Sequence, residues 1–199
     1  MRKLHLLLLP AALLALVFGL VACGGGESDE DKVVETIETS ATSTDPADCK
    51  ELTTQKFMEQ TESEKGSKAV KSCEEEAEDP EGDPESVDVS NVAVNGSKAT
   101  ADVAFNGGNF GGQALGVALV EEDGWKLDEV TGFAKFDQEK LVENFEKLFE
   151  SGDEPLEPQV TTCIGEVFGE LSKPEFEEVL FGGSQQPIIE IAEGCSQGQ

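Results

Sequence analysis

Five cysteines carry most of the covalent chemistry open to this chain. Cys23 follows the apolar run Leu6 to Val21 directly, in the string Leu20-Val21-Ala22-Cys23, and three glycines come after it. A positive start (Met1, Arg2, Lys3), an apolar stretch and no second charged flank make a secretory signal rather than a span. An ordinary cleaved signal wants small residues at −3 and −1 and no cysteine. This string instead fits the bacterial lipobox, in which the Cys is diacylated and becomes the new N-terminus. An uncleaved signal anchor is the competing reading. One acyl chain binds a membrane only marginally, at ~0.8 kcal/mol per buried CH₂, so two or three chains such as palmitate are expected to make anchoring durable. Residues 1–22 are thus expected to be removed as a signal peptide. Lipid on Cys23 is expected to hold the protein to the outer face of the cytoplasmic membrane.

The other four cysteines are Cys49, Cys73, Cys163 and Cys195. An even number in an exported chain reads as two disulfides, with three possible connectivities. Two short helices are expected near Ala47 to Gln60 and Ser67 to Glu78, broken at Gly66. Cys49 and Cys73 are symmetric about Thr61, so folding this pair into an antiparallel hairpin brings the two sulfurs together. A bridge closing about 25 residues is worth roughly 3 kcal/mol in the chain-entropy model. The remaining pair, Cys163 and Cys195, would tie the tail to a preceding helix.

What the chain lacks narrows its chemistry further. Its single Arg and single His are Arg2 and His5, inside the signal, and Tyr is absent altogether. Without His there is no ordinary Ser-His or Cys-His nucleophile, no imidazole base and no zinc or copper site of the usual kind. Without Arg there is no bidentate clamp for phosphate or carboxylate. Neither a catalytic site, a cofactor nor a metal is expected. Arg2 and Lys3 account for two of the 14 basic residues, so the processed chain carries twelve against 42 acids, a formal charge of −30. Such a surface repels nucleic acid and anionic headgroups. Acids cluster in Glu74 to Glu85, read as a loop ended by prolines, but not at the D-x-D-x-D-G spacing calcium needs.

The elements that must position these residues follow from patterning. Residues 23–45 comprise the lipidated Cys and a stretch rich in Gly, Ser, Thr and acids without a sustained apolar face. They read as a flexible tether, with a reach of roughly 25 Å. After the two helices come alternating runs: Val87 to Val89, Val92 to Val94, Ala99 to Phe105, Leu115 to Leu119, and Trp125 to Leu127. Asn95-Gly96 is a hairpin turn, and the slip of register at Ser90-Asn91 predicts a bulge or bend. Four antiparallel strands in a meander is the simplest account. Helices return with Leu141, Val142, Phe145, Leu148 and Phe149 on one face, capped near Asp137. A second helical stripe runs from Val160 to Leu171, and Ser172-x-x-Glu175 is a capping box opening a third short helix.

Two helices packed on a curved antiparallel sheet, with the penultimate turn EEDGWKLDEV, resemble the nuclear-transport-factor-2-like cone fold. The order Cys49, Leu52-Thr53, Phe57, Gly66, Cys73, VSNVAVNGSKATADV and then GW-K-L-D is similar to small lipoproteins of Gram-positive actinobacteria that carry such a domain. The likeness covers about residues 47 to 133. It implies an α+β, cone-like domain over residues 46–134, to which the helical patterning adds a C-terminal segment at 135–199 closed by its disulfide. It also implies a concave face able to hold an apolar ligand. Phe57, Phe105, Leu115, Val117 and Trp125 are the candidate lining residues, each of which would otherwise be ordinary core. Family enzymes place Asp or His bases and Tyr or Asp donors inside the cone. Only carboxylates of that kit remain here, and Asp102 and Asp128 alternate with apolar neighbours, which points them to solvent.

The expected function is therefore a membrane-anchored, non-catalytic envelope lipoprotein that binds a small apolar ligand or an envelope protein, with no nucleic-acid partner. The alternatives are a carboxylate-dependent isomerase, cyclase or hydrolase, and a purely structural module.

Overall fold

A computed structural model describes residues 27–78, 82–151 and 155–197. The expected signal peptide and Cys23 lie outside the described residues. The protein is α+β, with one open antiparallel sheet and helices before and after it. The strands are β1 (Ser86–Asn95), β2 (Lys98–Asn106), β3 (Ala114–Glu121) and β4 (Trp125–Lys135), in the sheet order β1-β2-β3-β4. This is the meander expected from the alternating runs, with the Asn95-Gly96 turn in place. The bulge is there too: pairing slips between Ser90 and Ala93, and Asn91 takes a φ of 53°.

The sheet has one apolar face. Val103, Leu115 and Phe133 lie side by side on it, as do Ala101, Val117 and Val130, then Ala99, Leu119 and Leu127. On β4 the inward residues are Trp125, Leu127, Val130 and Phe133, spaced two, three and three apart. Two register slips cause this spacing, and with a third beyond Phe133 they give β4 11 residues against the 8 of β3. Each extra residue bends the strand and increases its twist. Gly132, at a φ of 125°, sits at one of them, and a Cβ there would lie 2.6 Å from Glu177 Oε1.

The segment expected to be a tether is instead largely helix α1 (Asp29–Thr42). A capping box starts it: Asp31 N–H donates to Ser28 Oγ at 3.1 Å, and Ser28 N–H donates back to the Asp31 carboxylate. Val33 and Ile37, one turn apart, are 0% and 1% exposed and join Trp125, Leu119 and Val103 in one apolar cluster. The segment lacks a broad apolar face because it needs only a narrow one, Val33 and Ile37 with the smaller Thr36 and Ala41, on a sheet that supplies the rest.

The first expected helix is divided. Helix α2 (Asp48–Glu51) and helix α3 (Gln55–Thr61) flank Thr53, which bridges to Leu127 at the edge of β4. Helix α4 (Ser67–Glu78) runs through the first acids of the run expected to be a loop. The Cys49–Cys73 disulfide joins α2 to α4, with Cα atoms 6.1 Å apart. After the sheet come α5 (Gln138–Ser151), α6 (Pro158–Glu170), α7 (Lys173–Phe181) and α8 (Gln186–Gln197). Asp137 caps α5 through the Lys140 N–H, and Ser172 with Glu175 boxes the start of α7. Cys163–Cys195 ties α6 to α8, a helix the sequence patterning did not reveal.

The C-terminal helices share a core with the sheet. Leu115, Val130 and Phe133 cluster with Phe145, Ile164, Phe168 and Phe176. Phenylalanine rings carry the contact across, from Phe133 to Phe136 at 4.8 Å, on to Phe176 at 5.5 Å and to Phe168 at 5.3 Å. Polar side chains bond to the free edge of β4. Gln60 Oε1 accepts the Val130 N–H at 2.8 Å while its Nε2 donates to the Val130 carbonyl at 2.9 Å. Next along the edge, Glu177 accepts the Phe133 N–H and Lys173 donates to the Phe133 carbonyl, both at 2.8 Å.

If α1 belongs to the folded unit, Ile37→Ala destabilises the protein by about 2–5 kcal/mol, as buried Ile-to-Ala changes do. Urea unfolding followed by Trp125 fluorescence measures this, and an unchanged midpoint would return the segment to a tether.

Candidate functional site

A cavity of about 430 Å³ lies between the apolar face of the sheet and its helical cover. Its floor is Val103 and Phe105 of β2, Leu115 and Val117 of β3, and Leu127 and Val130 of β4. Ile37 and Ala41 of α1 and Phe57 of α3 close one side. Phe110, Phe145 and Phe181 close the other, with Phe110 6.2 Å from Phe145 and 6.1 Å from Phe181 between ring centres. Ile188 of α8, one of three large apolar side chains left exposed among the described residues, stands at the rim.

The space exists because the cover comes from three separate parts of the chain. Helix α1 packs on the β1 side, α3 follows the β4 edge, and α5 and α7 come back over Leu115 and Phe133. Side chains of fixed rotamer from three bodies fill the region between them less completely than one continuous layer would.

Of the five candidate lining residues, four meet here: Phe57, Phe105, Leu115 and Val117. Trp125 does not. It is 4% exposed, packed beneath α1 with Val33 and Ile37, and its indole N–H has no hydrogen-bond partner among the described residues. Its position explains this: Trp125 opens β4, at the end of the sheet that α1 covers. Asp102 lies on the opposite face of the sheet, as alternation implied, while Asp128 is the extra residue of a bulge in β4 and turns to the residues at the start of α3, outside the cavity. Asp102 accepts from Asn91 at 2.7 Å, and Asp128 accepts from Thr54 at 3.0 Å and from Lys56 at 3.2 Å.

The cavity does have an acidic wall, supplied by helices rather than by the sheet. Glu62 caps the C-terminus of α3, Glu76 lies on α4, and both line the cavity. They also line a smaller crevice behind it, together with Asp45, Asp48 and Asp83. Burial, with the Glu76 charge and a hydrogen bond to Glu76 adding to it, pushes the Glu62 carboxyl up to about 7. Thr61 Oγ1, 3.3 Å from Glu62 Oε1, pulls weakly the other way. Burial raises Glu76 and Asp83 as well. Glu76 is the more exposed of the two residues, so solvent screens it more than the half-buried Glu62. No feature of sequence spacing marks this pair: 14 positions apart on two helices, they meet only because the disulfide and Gly66 fold α4 back beside α3.

Among the described residues no three acidic or cysteine side chains converge as a metal site would require. No described helix is long and apolar enough to cross a membrane. No family model matches the chain, and neither does any curated protein or solved structure.

The folded Glu62 carboxyl titrates above its ordinary value of 4.5. Between about pH 4.5 and 7 the native state therefore keeps a proton the unfolded chain has released, and stability falls as pH rises through that window. Glu62→Gln is expected to remove this fall, leaving the variant at least as stable as the parent at pH 8. Melting curves from pH 4 to 8 test it, and an unchanged slope would assign the shift elsewhere.

Proposed function

We propose that the protein is a lipid-anchored extracytoplasmic lipoprotein, non-catalytic, that binds a small apolar ligand in the cavity between sheet and helices. The observation that carries this reading is the meeting of Phe57, Phe105, Leu115 and Val117 around one apolar space of 430 Å³. That volume falls within the range of small-molecule sites, which are mostly apolar with a few placed polar groups. A bulged meander with paired helices at its edge is also what a cone-like domain of the nuclear-transport-factor-2 type requires. The two disulfides fit an oxidising compartment, and the Leu20 to Cys23 string supplies the anchor.

One observation favours a second reading, a carboxylate-dependent isomerase, cyclase or hydrolase. Glu62 stands at the cavity wall with a carboxyl poised near neutrality, as a general base needs. The floor offers it no polar partner, since every sheet residue lining the cavity is apolar. Binding without chemistry asks less of these residues.

Titration with the neutral dye N-phenyl-1-naphthylamine should give a saturable, one-to-one rise in fluorescence. Ala41→Trp, which fills the cavity from the α1 side, should weaken binding about tenfold or more, the loss of roughly 1.4 kcal/mol of burial. A linear, unsaturable response from the parent protein would count against the cavity as a ligand site. For the anchor, Cys23→Ser should move the expressed protein from the detergent phase to the aqueous phase on phase partition. Equal partition of both forms would remove the lipid.

A further inference from the structure

The cavity has an electrostatic asymmetry that an apolar ligand alone does not use. Asp45, Asp48, Glu62, Glu76 and Asp83 line it or the crevice behind it, and no lysine lines either. The lysines of the surrounding segment are turned to other acids. Lys50 pairs with Glu74 at 2.5 Å, Lys56 with Glu129 at 2.6 Å, Lys65 with Glu59 at 3.6 Å, Lys68 with Glu64 at 3.8 Å and Lys71 with Glu75 at 2.5 Å. Glu62 and Glu76 thus stand together at the wall of a largely apolar space with no cation lining it, where like charge and, for the half-buried Glu62, lost water disfavour ionisation.

Resting on the cavity reading above, we propose that the ligand is an amphiphilic organic cation. Its apolar body lies on Phe105, Leu115 and Val117, and its single protonated amine sits against Glu62 and Glu76. An ammonium donates up to three hydrogen bonds, enough to satisfy oxygens of both carboxylates, and needs no further charge. A calcium ion takes six to eight oxygens, and no such convergence is present among the described residues. A fatty acid or other anionic amphiphile would bring a third negative charge to the pair. The cavity's shape accepts any of these apolar bodies, whereas the charge at its wall distinguishes them.

The test displaces the bound naphthylamine dye from the full-length protein with decylamine, decanol and decanoate at pH 8 in 0.5 M NaCl. That salt shortens the Debye length to roughly 4 Å and suppresses attraction to the general negative surface. Decylamine should displace the dye at about one tenth the concentration decanol needs, the ratio one charge-assisted contact gives, and decanoate should be weakest. In Glu62→Gln/Glu76→Gln the decylamine advantage should vanish while decanol is unchanged or tighter, which also shows the variant is folded. The control Glu121→Gln/Glu122→Gln removes the same charge at the turn between β3 and β4 and should keep the advantage. Equal displacement by decylamine and decanol from the parent overturns the cation and leaves the cavity reading standing. Loss of the advantage in the control overturns it as well, as an effect of net charge. Failure of the dye to bind at all removes the cavity reading itself.

Discussion

A four-stranded sheet with one apolar face must have that face covered, and the rest of this structure is arranged around that need. The alternation on β1, β2 and β3 puts Val103, Leu115 and Val117 on one side and Asp88, Asp102 and Thr100 on the other. Water can serve the second side but not the first. At roughly 25 cal/mol per Å² of apolar surface removed from water, no other contribution available to the chain compares. Helix α1 arrives from before the sheet, α3 from its edge, and α5 and α7 from after it. The cavity is the region those three bodies leave between them.

Joining them demands control of polar groups as much as of apolar ones. The outer edge of β4 would be a template for another strand if left open. Gln60 behaves there as a detached peptide unit, giving Val130 both a donor and an acceptor, and also donates to the Phe181 carbonyl at 3.2 Å. Gln113, 1% exposed, does the same for both backbone groups of Asp137, at 2.8 and 2.9 Å. Gln138 donates to the carbonyls of Phe168, Gly169 and Leu171 and so finishes the end of α6. Such bonds add about 1 kcal/mol each where made, while their loss strands buried groups at a larger penalty. In a chain with so few cations to spare, neutral amides hold the layers in register.

Elements with a repeat could be read from the sequence. The alternation of β1 to β3, the Asn-Gly turn, the bulge at Ser90 and the capping box at Ser172 are all local chemistry, and all stand where that chemistry puts them. Both disulfides do too, since the symmetry of Cys49 and Cys73 about Thr61 is a property of spacing. Elements that depend on a partner were hidden. Helix α1 turns Val33, Thr36, Ile37 and Ala41 to the core, and with just two large apolar residues among them the stripe does not announce itself amid acids and threonines. Strand β4 looked short because its bulges turn a period of two into a period of three after Leu127. The cavity floor was legible as apolar alternation, but Phe110, Phe145 and Phe181 come from elements separated by tens of residues. Glu62 and Glu76 acquire their character only from what surrounds them.

Helix α1 also resets the scale of the proposed anchor. A tether ending near Asp45 would let the domain roam some tens of ångströms above a bilayer, sampling whatever passed. Helix α1 begins at Asp29, six positions after Cys23 in the sequence, and six residues span at most about 20 Å of extended chain. A lipid on Cys23 would hold so short a leash almost at headgroup height. The molecule would then work as a fixture of the membrane surface, meeting ligands that partition into or leave that surface, rather than as a reaching arm that collects them from the space beyond.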